Sequence, residues 1–151
     1  MADPAAGTAR PSGRTLGIDY GRKRVGIALS DGLGLAAHPF EVLEAGPDLT
    51  ARLAELALEN DVTRIVIGLP VSLDGSEGPS AGAARRFAER LTESLDTPVV
   101  LYDERFTSRI AEDALLEGGV SRAGRRSRVD KVAAAIMLQG YLDRQAREAH
   151  A

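Results

Sequence analysis

The chain has 151 residues, of which 44% are hydrophobic, and a formal net charge of -3; that length accommodates one domain with a proper core, and no apolar run approaches the ~20 residues needed to span a bilayer. Zero cysteines exclude disulfides, thiolate zinc sites and a cysteine nucleophile, and two histidines, His38 and His150, are too few for a histidine-rich metal site. Carboxylates remain as acid, base or ligand groups, and as ligands they favour hard cations such as magnesium or manganese.

Residues 1–13 are rich in Ala, Gly, Pro and Ser and read as a disordered leader before a single domain over 14–146, with 147–151 as a tail. No basic-apolar leader is evident in them, which points to a cytoplasmic protein. Thr15–Tyr20 and Val25–Leu29 are β-rich runs joined by a short polar link, the pattern of an antiparallel hairpin. Alternation puts Gly17, Asp19 and Gly21 on one face of the first run and Leu16, Ile18 and Tyr20 on the other. Glycine and aspartate are disfavoured inside strands, so the bare face suits the close approach of something bulky and charged, a metal ion or a phosphate. The alternative is that Asp19 fixes the turn at residues 20–24. Gly26, Ala28 and Ser30 give the second run a similarly low face.

Leu35–Leu43 reads as a third strand that Pro39 restricts to an edge or a bulge. Leu49, Leu53, Leu56 and Ala57 have helical spacing, and Arg64–Leu69 follows as a strand apolar on both faces. Gly68-Leu69-Pro70 opens a Gly/Ser/Asp loop to Ser80, followed by a helix that buries Ala84, Phe87, Ala88 and Leu91. Pro98–Tyr102 is a second doubly apolar strand, ending at Asp103-Glu104-Arg105. Thr107 is placed to cap a helix that stops at Gly118-Gly119. The last helix presents Val129, Val132, Ala133, Ile136, Met137 and Tyr141 inward. An antiparallel hairpin followed by strands alternating with helices predicts a mixed α/β sheet covered on both faces.

Three acidic sites lie at the edges of these elements: Asp19, the pair Asp103-Glu104, and Asp130 at the border of the last helix's inward face. Separately, each has an ordinary explanation: a turn, a helix N-terminus, or an i, i+4 pair with Arg126. Together, an uncompensated acidic cluster implies a cation, because like charges packed side by side destabilise one another. Two basic clusters flank these acids, Arg22-Lys23-Arg24 and Arg122, Arg125, Arg126, Arg128 with Lys131. They read either as solvated loops or as a surface for a polyanion.

Leu16-Gly-Ile-Asp-Tyr-Gly, Arg24-Val-Gly-Ile-Ala, Ile67-Gly-Leu-Pro with Asp74-Gly-Ser-Glu-Gly-Pro79, Tyr102-Asp-Glu-Arg-Phe-Thr107 and Val129-Asp-Lys-Val-Ala-Ala134 occur in this order. Together they resemble the YqgF/RuvX family of RuvC-like nucleases over about residues 14–144. The resemblance implies a ribonuclease H-like mixed sheet with an N-terminal antiparallel hairpin and flanking helices, and a magnesium or manganese site of the two-metal kind. It also implies a nuclease that trims the precursor of 16S ribosomal RNA, with resolution of Holliday junctions as the older suggestion. On the matching positions Asp19, Glu104 and Asp130 are the implied metal ligands and catalytic acids, with Asp103 as a further contributor. Gly75 and Ser76 in the glycine-rich loop, Arg105 and Thr107, and the basic residues Arg22, Lys23, Arg24, Arg125, Arg126, Arg128 and Lys131 are the expected contacts to nucleic acid. Structured RNA is the expected partner and branched DNA the alternative. Cutting a four-way junction symmetrically needs a homodimer, whereas RNA trimming is open to a monomer. A non-catalytic factor that only binds nucleic acid is the third reading.

Overall fold

The computed structural model describes residues 13–106 and 122–149, with the side chains of residues 106 and 122–129 outside that description. Five strands form one sheet: β1 (Arg14–Tyr20), β2 (Arg24–Ser30), β3 (Ala37–Glu44), β4 (Val62–Leu69) and β5 (Val99–Asp103), in the order β3-β2-β1-β4-β5. β1 pairs antiparallel with β2 and parallel with β4, β4 pairs parallel with β5, and β2 pairs antiparallel with β3. The expected hairpin and mixed sheet are both present. Pro39 has both of its expected effects: β3 is an edge strand, and its pairing shifts where Ile27↔Glu41 gives way to Ala28↔Pro39.

Helices α1 (Leu49–Glu59) and α2 (Pro79–Ser94) cover one face of the sheet, and α3 (Arg122–Ala149) covers the other. The division follows strand alternation. Leu16, Ile18, Val25, Ile27, Ile65 and Ile67 pack with Leu53, Leu56, Phe87 and Leu91, whereas Ala28, Val66 and Tyr102 pack with Ala134, Met137, Leu138 and Tyr141. Proline in the first turn of α2 suits a helix start, where its missing N–H would be unsatisfied in any case. The helix expected after Thr107 lies outside the described residues. Among the described residues no helix is long and apolar enough to cross a membrane.

The last helix is rotated from its expected phase. Its buried side chains are Ala134, Ala135, Met137, Leu138, Tyr141 and Leu142, while Val132, Ala133 and Ile136 are only half-buried. Residues 132–138 are apolar all round, so their spacing has no polar side from which to fix the phase. The sheet fixes it instead. A Cβ added to Gly17 would lie 2.9 Å from Leu138 Cβ, and one added to Gly26 would run into the main-chain oxygen of Asp130. The bare face of β1 and β2 therefore admits helix α3, where the glycine pattern suggested an ion or a phosphate. Gly21 is bare for a local reason, since its Cβ would strike the carbonyl oxygen of Arg24 across the hairpin turn. Gln139 locks the helix along its axis: its Oε1 accepts from Ala37 N at 2.8 Å and its Nε2 donates to Leu35 O at 3.0 Å.

Candidate active site

The two glycines next to Asp19 define the site. Asp19 is one residue from the end of β1, and its partner on β2 is Gly26. On the other side Ile18 pairs with Ile67, so the next step of the parallel register sets Asp19 beside Gly68. Alternation puts all three on the α3 face with Gly17 and Val66. Gly26 is covered by the main chain of Asp130. Gly68 is covered by Glu104, whose Oε1 would lie 2.8 Å from an added Cβ. Neighbouring strands are about 4.8 Å apart, so the main chain of Asp130 and the side chain of Glu104 lie over the positions on either side of Asp19.

Strand phase decides which acid of the Asp103-Glu104 pair joins this group. Tyr102 pairs with Gly68 and faces α3, and Glu104, two residues on in the 3-10 turn Glu104–Phe106, returns to the same side. Asp103 pairs with Leu69 and faces the α1/α2 side. Its carboxylate is taken up by Arg105: the backbone N of Arg105 donates to Oδ1 at 2.9 Å, Nε to Oδ1 and Oδ2 at 3.1 and 3.0 Å, and Nη2 to Oδ2 at 2.6 Å. The adjacent guanidinium holds the Asp103 carboxyl below the usual aspartate range. Asp103 is thus not brought to Asp19, Glu104 and Asp130.

Asp130 is half-buried on α3, four residues before the buried Ala134. Arg24 Nε stands 2.9 Å from Asp130 Oδ2, without the alignment of a hydrogen bond, so the contact is one of charge. This cross-element partner differs from the Arg126 pairing considered from spacing alone. Among the described residues no three His, Asp or Glu side chains stand close enough together to hold a metal ion. The donor set still fits a hard divalent cation in its chemistry, offering three carboxylates on one face at one end of the sheet. Arg24 supplies the positive charge next to Asp130.

The loop after β4 closes on itself through a Val71↔Glu77 bridge and hydrogen bonds from Ser72 N to Ser76 O (2.9 Å) and from Gly75 N to Ser72 O (2.8 Å). Gly75 has φ +89°, a conformation that favours glycine, and an added Cβ would stand 3.7 Å from Arg105 Nη1. The Ser76 hydroxyl donates to Asp74 Oδ1 at 2.7 Å, which lowers the Asp74 carboxyl and occupies the proton expected to meet a phosphate. Arg22 and Lys23 are exposed in the β1–β2 turn, at the same end of the sheet, and Lys131 follows Asp130 on α3. Arg125, Arg126 and Arg128 belong to the start of α3 with side chains outside the description, and Thr107 lies outside the described residues altogether. The features that sequence reasoning missed are the pairing of Gly26 and Gly68 around Asp19 and the Arg24–Asp130 ion pair. Two strand-interior glycines were the available signal for the first.

A central strand carrying one acid, flanked by a parallel pair and an antiparallel pair and backed by a long helix, is the ribonuclease H-like arrangement. A solved structure of T. thermophilus RuvC in complex with Holliday junction substrate superposes with a TM-score of 0.56 at 20% identity, covering 92% of this chain and 98% of that one. A family model described as "RuvX: Holliday junction resolvase" matches residues 13–144, and the chain belongs to that family. Its relatives include two proteins named "Putative pre-16S rRNA nuclease". The one from Myxococcus xanthus (strain DK1622) is 50% identical over 133 residues, 86% of this chain and 87% of that protein. The one from Bacillus licheniformis is 45% identical over 134 residues, 86% of this chain and 96% of that protein.

Proposed function

We propose that the chain is a cytoplasmic, divalent-metal-dependent nuclease that hydrolyses phosphodiester bonds of structured RNA in the 5′ maturation of pre-16S rRNA. The observation that carries this reading is Asp19 between Gly26 and Gly68, with the main chain of Asp130 over Gly26 and the side chain of Glu104 over Gly68. The names of the relatives supply the substrate. In this reading Asp19, Glu104 and Asp130 hold magnesium or manganese, which when bound activates water and stabilises the departing oxygen. The chain's own residues do the rest. The pairing with Gly26 near the end of β1 fixes Asp19, while the approach of α3 to Gly26 fixes the main chain at Asp130. Arg24 balances Asp130 and yields it on loading. Arg22, Lys23 and Arg105, with the basic start of α3, hold the phosphate backbone, since such contacts position a nucleic acid without reading its sequence.

The test is cleavage of a precursor 16S rRNA fragment with and without magnesium. We expect cleavage that EDTA abolishes and that Asp19→Asn and Glu104→Gln each reduce by about 10²–10³-fold, the scale of losing a charge-stabilising group in a transition state. Cleavage that persists in either variant sinks the assignment. The family description and the RuvC-like fold favour a second substrate, four-way DNA. Paired symmetric cuts in a junction, with precursor RNA left intact, would select it.

A further inference from the structure

Asp103 ends β5 and Glu104 opens the 3-10 turn that follows, and the two neighbouring carboxylates are turned to different partners. Glu104 lies over Gly68 on the α3 side, and Asp103 is bound to Arg105 on the other. We propose that Asp103 is a positioning residue that aims Arg105, so that the Nη1 edge of its guanidinium takes one phosphodiester beside the turn at Gly75. This rests on the nucleic-acid substrate of the preceding section, though not on its cleavage.

The donors are divided in a way that supports this role. A guanidinium has five N–H groups in a planar fork. Nε and Nη2 point at the Asp103 carboxylate, and the backbone N–H of Arg105 closes the same ring of contacts. Nη1 points away from that carboxylate and has no hydrogen-bond partner among the described residues; its neighbour is Gly75, whose missing side chain leaves the edge uncovered. Glu77, a carboxylate close enough to feel the Asp103 charge, is occupied by Arg85 through Nε at 2.7 Å and Nη2 at 2.6 Å. It does not compete for Arg105. Asp74 adds negative charge near Arg105 but spends Oδ1 on Ser76.

Two effects of Asp103 on a bound phosphate oppose each other. Its charge repels the phosphate, while its hydrogen bonds hold a long flexible cation in one orientation. An aimed guanidinium loses less side-chain freedom on binding, and the carboxylate lies on the far side of the fork from the phosphate. Positioning is therefore expected to win, and the sign of the Asp103→Ala effect decides.

The experiment is fluorescence anisotropy of a labelled precursor 16S rRNA fragment, and of a four-way DNA junction, in EDTA over a salt series. Arg105→Ala is expected to lower the slope of log K against log salt by about 0.7–0.9, the loss of one phosphate contact. Asp103→Ala is expected to weaken binding in the same direction, and the double variant to bind no worse than Arg105→Ala. Asp103→Asn, which retains one acceptor oxygen, should fall between wild type and Asp103→Ala, and far-ultraviolet circular dichroism checks that each variant is folded. Calorimetric titration with manganese gives the second readout, expected to be unchanged in Asp103→Ala and lost in Asp19→Asn. Wild-type or tighter binding by Asp103→Ala, or loss of its manganese affinity, overturns the assignment. If binding follows this pattern while RNA remains uncut in magnesium, the nuclease reading fails and this one stands. If wild type binds neither nucleic acid, both fail.

Discussion

Replacing Gly26 by alanine tests whether the bare face of the sheet exists to seat α3. The added methyl would meet the main-chain oxygen of Asp130 and lie 3.0 Å from Lys131 N, and backbone atoms cannot swing aside as a side chain does. The helix must lift from the sheet where it carries Asp130. Gly17→Ala is the milder case, with contacts of 2.9, 3.2 and 3.3 Å to Leu138 Cβ, Cδ2 and Cγ, each requiring a shift of a few tenths of an ångström. Overpacking of this kind costs about 1–3 kcal/mol, against a gain of about 0.4–1 kcal/mol from the stiffer unfolded chain. Gly17→Ala should therefore lose about 1–2 kcal/mol. Gly26→Ala should reach the upper end of the overpacking range, about 3 kcal/mol, or exceed it. In a chain of this length each kcal/mol corresponds to roughly 2–4 °C in Tm. Gly46→Ala is the control, because nothing lies within 4 Å of its added methyl and its φ is not left-handed; it should stay within about 0.5 kcal/mol of wild type. Urea unfolding of the three variants gives the comparison. If Gly26→Ala unfolds at the same urea concentration as Gly46→Ala, the account of the helix seat is wrong.

Gly68→Ala separates stability from activity: its methyl meets the end of the Glu104 side chain, which can rotate, so the urea midpoint should change little while cleavage falls with the displaced carboxylate. Unchanged cleavage would remove Glu104 from the site. Arg24→Gln removes a partly exposed ion pair worth about 0–1 kcal/mol, and with no guanidinium competing for Asp130 it should tighten manganese binding measured calorimetrically; weaker binding would show that Arg24 instead orients Asp130. Asp31 accepts hydrogen bonds from Leu33 N, Leu35 N and Ala36 N, chiefly the Leu35 bond holding its pKa below the ordinary 3.8. Because the folded pKa is the lower one, this stabilisation is complete above about 3.8 and is lost as pH falls through the folded value. The urea midpoints of wild type and Asp31→Asn should thus converge on acidification below pH 4, and a constant gap would refute the assignment. Tyr141→Phe breaks the 2.8 Å bond from Arg64 Nη1 to the Tyr141 hydroxyl and should cost about 0.5–1.5 kcal/mol in urea unfolding.

Periodicity alone was sufficient for most of the architecture. The alternation of Leu16, Ile18 and Tyr20 against Gly17 and Asp19, the doubly apolar run of β4, and the helical spacing of Leu49, Leu53 and Leu56 each encode burial directly in chain order, whereas the equally apolar β5 is an edge strand with only Tyr102 buried. Pro39 announced its edge strand because a missing N–H excludes it from a sheet interior. The motifs also brought Asp19, Glu104 and Asp130 to attention as candidates. Three features needed the tertiary structure. The phase of α3 was illegible because residues 132–138 have no polar side, and only the clearances at Gly17 and Gly26 choose which residues turn inward. Only the family resemblance ranked Glu104 above Asp103 in sequence, since which of two neighbours faces a given side depends on the register of β5 against β4. Arg24 and Asp130 are more than a hundred positions apart, and their pairing exists only because α3 crosses the hairpin. Chain order alone specified which groups are available and which faces are apolar; packing decided which side of the sheet each acid serves, because the glycines that admit a helix or a carboxylate act across strands and not along them.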